Sequence, residues 1–129
     1  LETALPLFLV GILLKISVTF INIMDNIGMM VGESKKVDVI CDKRLDKYFG
    51  ITGKAINIVK ASEKDGLRAK EAFDFLDMAE RYFSDANHFR SQGNYVLAFA
   101  AVNYAHAWLD AGARIGLFKV KDSELFASD

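Results

Sequence analysis

Proline is almost missing from this chain. One residue of 129, Pro6, carries the strongest helix breaker, and everything after it is free to run as helix. An all-α fold is the expectation that follows. Cysteine is as scarce: Cys41 stands alone, which excludes an intramolecular disulfide and a multi-cysteine zinc site and suits a reducing, cytoplasmic compartment. With two histidines, His88 and His106, no dedicated metal site is expected. Glycine-rich phosphate loops, dinucleotide fingerprints and nucleophilic triads are also lacking, so no cofactor is expected. Surplus charge is missing too. The 16 basic and 17 acidic side chains nearly cancel, and the basic footprint of a general nucleic-acid binder is absent.

What is there is globular: 26% charged and 52% hydrophobic residues, enough for one domain and an appendage. The appendage is the hydrophobic segment 1–32. Thirteen Leu, Ile, Val or Phe residues lie between Leu5 and Met24, with Lys15 as the charge among them. Each favours membrane insertion by about 0.3–0.6 kcal/mol, against roughly 2.5–3.5 kcal/mol for a lysine, so Lys15 alone does not veto a span through residues 5–31. Lys35, Lys36, Lys43 and Arg44 would then hold the following domain on the cytoplasmic side. The same segment also reads as an extra helix packed on a soluble body, because Gly11, Lys15, Thr19, Asn22 and Asn26 give it a narrow polar stripe. The initial Leu, with Met24, Met29 and Met30 downstream, allows a third reading as a start-site artefact. The pattern leaves these alternatives open.

Residues 33–41 read as a linker, and 42–129 as the main domain. Helical spacing predicts a first helix from Asp42 to Ala61, with Leu45, Tyr48, Phe49, Ala55, Ile56 and Val59 inside. Asp65 is expected to cap a second helix from about Leu67 to Ser91 that buries Ala72, Phe73, Leu76, Ala79, Tyr82, Phe83, Ala86 and Phe89 and ends at Gly93. Asn94 is expected to cap a third, running to about Gly116, on which Ala98, Ala101, Ala105, Gly112 and Gly116 form a ridge of small residues. Short connections make neighbouring helices antiparallel, so the expected fold is an up-and-down three-helix bundle preceded by the extra hydrophobic N-terminal helix. The tail carries Leu117, Phe118, Val120, Leu125 and Phe126 and is expected to fold back.

The third helix holds the most telling pattern. In a run otherwise apolar, Asn103, His106, Asp110 and Arg114 recur at steps of three, four and four, which lines them along one face. Hydrogen-bonding groups on a helix meant for burial either bind neighbouring groups or form a site. With Tyr82, Asp85 and Trp108 they make a candidate binding surface, Trp108 serving as its apolar anchor. On the second helix the polar face holds Arg81 and His88, whose spacing resembles the arginine-to-histidine motif of HEPN-type helical ribonucleases. They are the candidate catalytic pair of an RNA-cleaving alternative.

The run YFSDANHFRSQGNYVLAFAAVNYAHAWLDAGARIGLF, residues 82–118, resembles the signature half of the archaeal domain-of-unknown-function family 357, through Tyr82, Asp85, Gly93, Tyr104, His106, Trp108, Asp110, Gly112, Arg114 and Gly116 among others. The first helix fits the family's weaker opening helix, so the resemblance covers roughly Asp42 to Phe126. It implies an archaeal source, a small helical bundle, and no established activity or cofactor. Two departures stand out: Ala107 occupies a position where glycine is expected, and residues 1–32 have no counterpart in the typical short member.

The expected function is a non-enzymatic interaction module that self-associates, as a homodimer, because the third helix is too apolar for two amphipathic neighbours to satisfy. The alternatives are the HEPN-like RNA-cleaving or RNA-binding dimer and a membrane-tethered adaptor.

Overall fold

The computed structural model describes residues 36–127. The hydrophobic segment 1–32, and with it the extra N-terminal helix and the span through 5–31, lies outside the described residues. The described residues from Val39 onward form one compact unit. Its elements are α1 (Asp42–Ala61), α2 (Ala69–Ser91) and α3 (Tyr95–Arg114). Among the described residues there is no strand beyond one isolated bridge between Lys64 and Phe118, and no helix is long and apolar enough to cross a membrane.

Each helix forms where its apolar period says it should. On α1 the buried positions are Leu45, Phe49, Thr52, Ala55, Ile56 and Val59, one per turn or slightly more. Its C-terminal carbonyls are gathered by Lys64, whose Nζ donates to Val59 O at 2.7 Å and Lys60 O at 3.0 Å, the placement of charge that a helix C-terminus favours. The start of α2 differs from the sequence reading by two residues, for a local reason. Asp65 Oδ1 accepts from the N–H of Leu67 and Arg68 at 2.8 and 3.1 Å, so a side-chain-closed turn occupies those residues and the helix begins at Ala69.

Gly93 takes a φ of 76°. The N–H of Asn94 reaches Phe89 O at 2.9 Å and that of Gly93 reaches Arg90 O at 2.9 Å, the paired bonds that close a helix through a left-handed residue. Asn94 then accepts from Leu97 N at 3.2 Å, so one side chain opens α3 directly behind the end of α2. The same closure ends α3: Gly116 has a φ of 77°, and Leu117 N donates to Gly112 O at 2.8 Å. Gly116 therefore terminates the helix instead of extending its small-residue ridge.

Direction follows from which ends meet. Tyr95 at the start of α3 bonds Asp42 at the start of α1, while Arg68 before α2 bonds Ile115 after α3. So α1 and α3 run the same way and α2 runs against both, with the most extensive packing between α2 and α3. One core cluster joins Leu45 and Phe49 to Ala86, Ala98, Ala101 and Val102; a second is built from Ile56, Val59, Leu76, Leu109 and the returning tail, and Phe83 packs against both. The tail folds back as its composition predicts, burying Leu117, Phe118, Leu125 and Phe126. Phe118 lies so close over Gly112 that a Cβ there would stand 2.2 Å from its ring, so the lower end of the ridge receives an aromatic ring and not another helix. One core assignment from sequence is corrected. Phe73 is 60% exposed, because Ala72 and Leu76 hold the inward positions and Phe73 lies one step around the helix.

Candidate functional site

At about 3.6 residues per turn the unbroken α3 sets Asn103, His106, Asp110 and Arg114 along one edge. Their surroundings differ. His106 Nε2 lies 2.8 Å from the carbonyl of Leu125, which can only accept, so the ring proton sits on Nε2. In the neutral ring Nδ1 then accepts from the Thr52 hydroxyl at 3.2 Å, and that hydroxyl, on a residue 2% exposed, gains its partner. Asp110 Oδ1 accepts from Ala127 N at 3.0 Å and stands 3.6 Å from His106 Nε2. Together the two side chains read the tail's main chain as one donor and one acceptor, while the imidazole stacks on Phe126 with centroids 6.5 Å apart. Asn103 Nδ2 donates to Phe99 O of its own helix at 2.8 Å, and Arg114 is exposed at the helix end. Both ring nitrogens of His106 are thus committed inside the fold, which leaves the imidazole no atom for proton transfer to a bound molecule.

On α2, Arg81 Nε donates to Asp77 Oδ2 at 2.5 Å, and that carboxylate, with a smaller contribution from Asp74, holds the guanidinium pKa above its ordinary value. His88 is exposed beside the ring of Phe89, and Asp85 is exposed as well. A further polar cluster, unforeseen from the sequence, ties the three helix ends together. Arg90 Nη2 donates to Asp46 at 2.6 Å and to Asp42 at 3.1 Å, and the Tyr95 hydroxyl donates to the same Asp42 oxygen at 2.6 Å. The Tyr95 and Arg90 bonds lower the Asp42 pKa, and the Asp42 carboxylate raises that of Tyr95.

The larger surprise is the neighbouring face of α3. Leu97, Ala100, Tyr104, Ala107, Ala111 and Ile115 share an arc of roughly 80° at helical spacing, and every one of them is exposed. Leu97, Tyr104 and Ile115 keep 44%, 51% and 52% of their surface open. No charged group interrupts the strip. Asn103 and Arg114 border it on one side. On the other, α2 supplies aromatic rings: Tyr82 stacks on Tyr104 at 4.4 Å, and Phe75 meets Trp108 edge to face at 4.9 Å. Between these pairs lies a shallow depression of about 280 Å3, lined by Phe75, Tyr104, Ala107, Trp108 and Ala111. Trp108 Nε1 is buried there without a hydrogen-bond partner, at a cost of about 1–3 kcal/mol by the usual penalty. Of the sequence candidates, the structure brings Tyr82 and Trp108 to this face and Asn103 and Arg114 to its rim. His106 and Asp110 turn toward α1 and the tail.

Residues 47–118 match the family described as a protein of unknown function, DUF357. The chain belongs to the DUF357 family. The match includes α2 and α3 whole and α1 from Lys47 onward, and it stops at Phe118, the ring that covers Gly112. It is narrower than the resemblance read from sequence: the first residues of α1 and the tail beyond Phe118, including Leu125 and Ala127, lie outside it. Every residue of the exposed apolar strip lies inside. No curated protein matches the chain, and no solved structure does.

Proposed function

We propose that this DUF357 protein is a non-enzymatic interaction module that associates with a second copy of itself through the outer face of α3. The observation that carries the reading is the uninterrupted apolar strip from Leu97 to Ile115, on a helix whose opposite side is already filled by α1, α2 and the tail. Burying apolar surface is worth about 25 cal/mol per Å2, and an uncharged strip with an aromatic border and a polar rim has the make-up of an interface. Tyr82 and Trp108 border its centre and Asn103 and Arg114 its margin, with Asp85 farther out on α2; His106 and Asp110 stiffen the helix from behind. The lone, exposed Cys41 fits a cytoplasmic home for such a module.

The RNA-cleaving alternative is less well supported, since Arg81 pairs with Asp77 on an open surface and the chain carries no surplus of basic side chains to hold RNA beside it. Single-stranded RNA incubated with the protein is expected to stay intact. The membrane-tethered adaptor rests on residues 5–31 and on sequence alone. Light scattering of the full chain over rising concentration tests the self-association: the expected mass approaches twice that of the monomer, and a strictly monomeric mass at high concentration would overturn the reading.

A further inference from the structure

We infer that the two copies meet with their α3 helices antiparallel, crossing near Ala107, so that Tyr104 of each copy seats in the depression that Phe75, Ala107, Trp108 and Ala111 of the other help to line. The inference rests on the self-association proposed above and adds its geometry.

A two-fold interface must be complementary to itself: if one residue meets another, the reverse contact also forms. The strip has that property in its spacing. About a point beside residue 106, Leu97 falls opposite Ile115, Ala100 opposite Ala111, and Tyr104 opposite Ala107 and Trp108. Bulky aliphatic side chains then meet at both ends, and alanines face alanines between them. At the centre each half-exposed tyrosine faces the hollow whose floor is Ala107 and Ala111. The Tyr104 ring is already fixed by its stack on Tyr82, so little rotamer freedom is lost when it seats.

The parallel arrangement fares worse on two counts. It would put Tyr104 against Tyr104 of the second copy, wedging the backbones apart and leaving the alanines facing voids. It would also set the two helix dipoles side by side in the same sense, whereas the antiparallel pair places opposite ends together. With Ala107 at the crossing and Ala100 facing Ala111 on either side of it, the axes approach to roughly 8–9 Å once each tyrosine enters its hollow.

Area sets the strength. From Leu97 to Ile115 the strip is about 27 Å long, and a face made of α3 and the adjoining edge of α2, two helices packed about 8–10 Å apart, hides on the order of 500 Å2 per copy. The total of roughly 1,000 Å2 reaches the threshold of a specific interface and falls short of the standard ~1,600 Å2. The pair is therefore one that separates on dilution.

Disulfide trapping tests the geometry. In the full chain carrying Cys41→Ser, Ala100→Cys and Ala111→Cys are made separately, checked for native helicity by circular dichroism, and oxidised mildly either alone or as an equal mixture. The expected result is a cross-linked pair in the mixture at least tenfold above either variant alone. Self-linking of Ala100→Cys to the same extent would overturn the antiparallel geometry while leaving self-association standing. Absence of any cross-link, with a dimer still present by light scattering, would likewise overturn the geometry and move the interface elsewhere. Absence of any cross-link together with a monomeric wild type would overturn both proposals.

Discussion

Two strips run side by side along α3, and they contrast in what they leave exposed. The strip of hydrogen-bonding groups is largely closed: His106 is tied to Thr52 and Leu125, Asp110 to Ala127, and Asn103 to its own helix. The strip of hydrocarbon beside it is open from Leu97 to Ile115. The difference teaches that polar groups on an apolar helix need not mark the working surface, because burial compels them to find partners at home. Apolar groups carry no such obligation. They stay exposed without breaking the fold and wait for cover from outside.

The contrast makes substitutions separable. Changes on the closed side should cost stability and leave association alone; changes on the open side should do the reverse. The largest effect is expected from Phe118→Ala, which empties the space above Gly112. A loss of about 3–5 kcal/mol in urea unfolding is predicted for so large a buried ring, with the dimerisation constant, measured under native conditions, unchanged. Next comes His106→Ala, which strands the buried Thr52 hydroxyl and frees the Leu125 carbonyl. Its expected cost is about 1–3 kcal/mol, and amide exchange should quicken in residues 122–127 and not at the outer face of α3. On the open side, Tyr104→Ala should weaken association about tenfold, or about 1.4 kcal/mol, in dilution calorimetry. Tyr104→Phe should preserve it.

The smallest effect is expected at the helix ends. The Asp42 carboxyl is held below its ordinary pKa by the Tyr95 hydroxyl and then by Arg90, so its contribution is present above the ordinary carboxylate range and lost as pH falls through the lowered value. The Tyr95 phenol is held above its ordinary value, mainly by its bond to Asp42. That contribution is full below about pH 10 and lost as pH rises through the raised value. Thermal melts of Tyr95→Phe against wild type should therefore differ most near neutrality and converge toward both extremes. A constant gap across the whole range would show that the hydroxyl contributes nothing through Asp42.

Much of the fold was legible. The bounds of α1, the glycine stop at Gly93 and the Asn94 cap follow from residue types whose local chemistry leaves few choices. The two-residue error at the start of α2 came from Asp65, whose side chain closes a turn before the helix instead of capping its first residue. The alignment of His106 with Asp110 was legible as well, but what closes it was not. Leu125 and Ala127 return from 19 and 17 residues downstream, a pairing that no periodicity encodes. The open strip was hidden by composition. On α3, alanines stand inside at 98, 101 and 105 and outside at 100, 107 and 111, so on either side of the polar stripe the two apolar faces look alike in sequence. Excess apolarity was visible as a total, and only coordinates say on which side it remains.

The most direct test is sedimentation equilibrium of the full chain, wild type against Ala107→Glu, which puts a carboxylate at the centre of the open strip without touching the core. A reversible dimer is expected for the wild type and a folded monomer for the variant, with association weakened at least a hundredfold, or about 2.7 kcal/mol. A wild type that is monomeric throughout, or a variant that associates as well as the wild type, would contradict association through the outer face of α3.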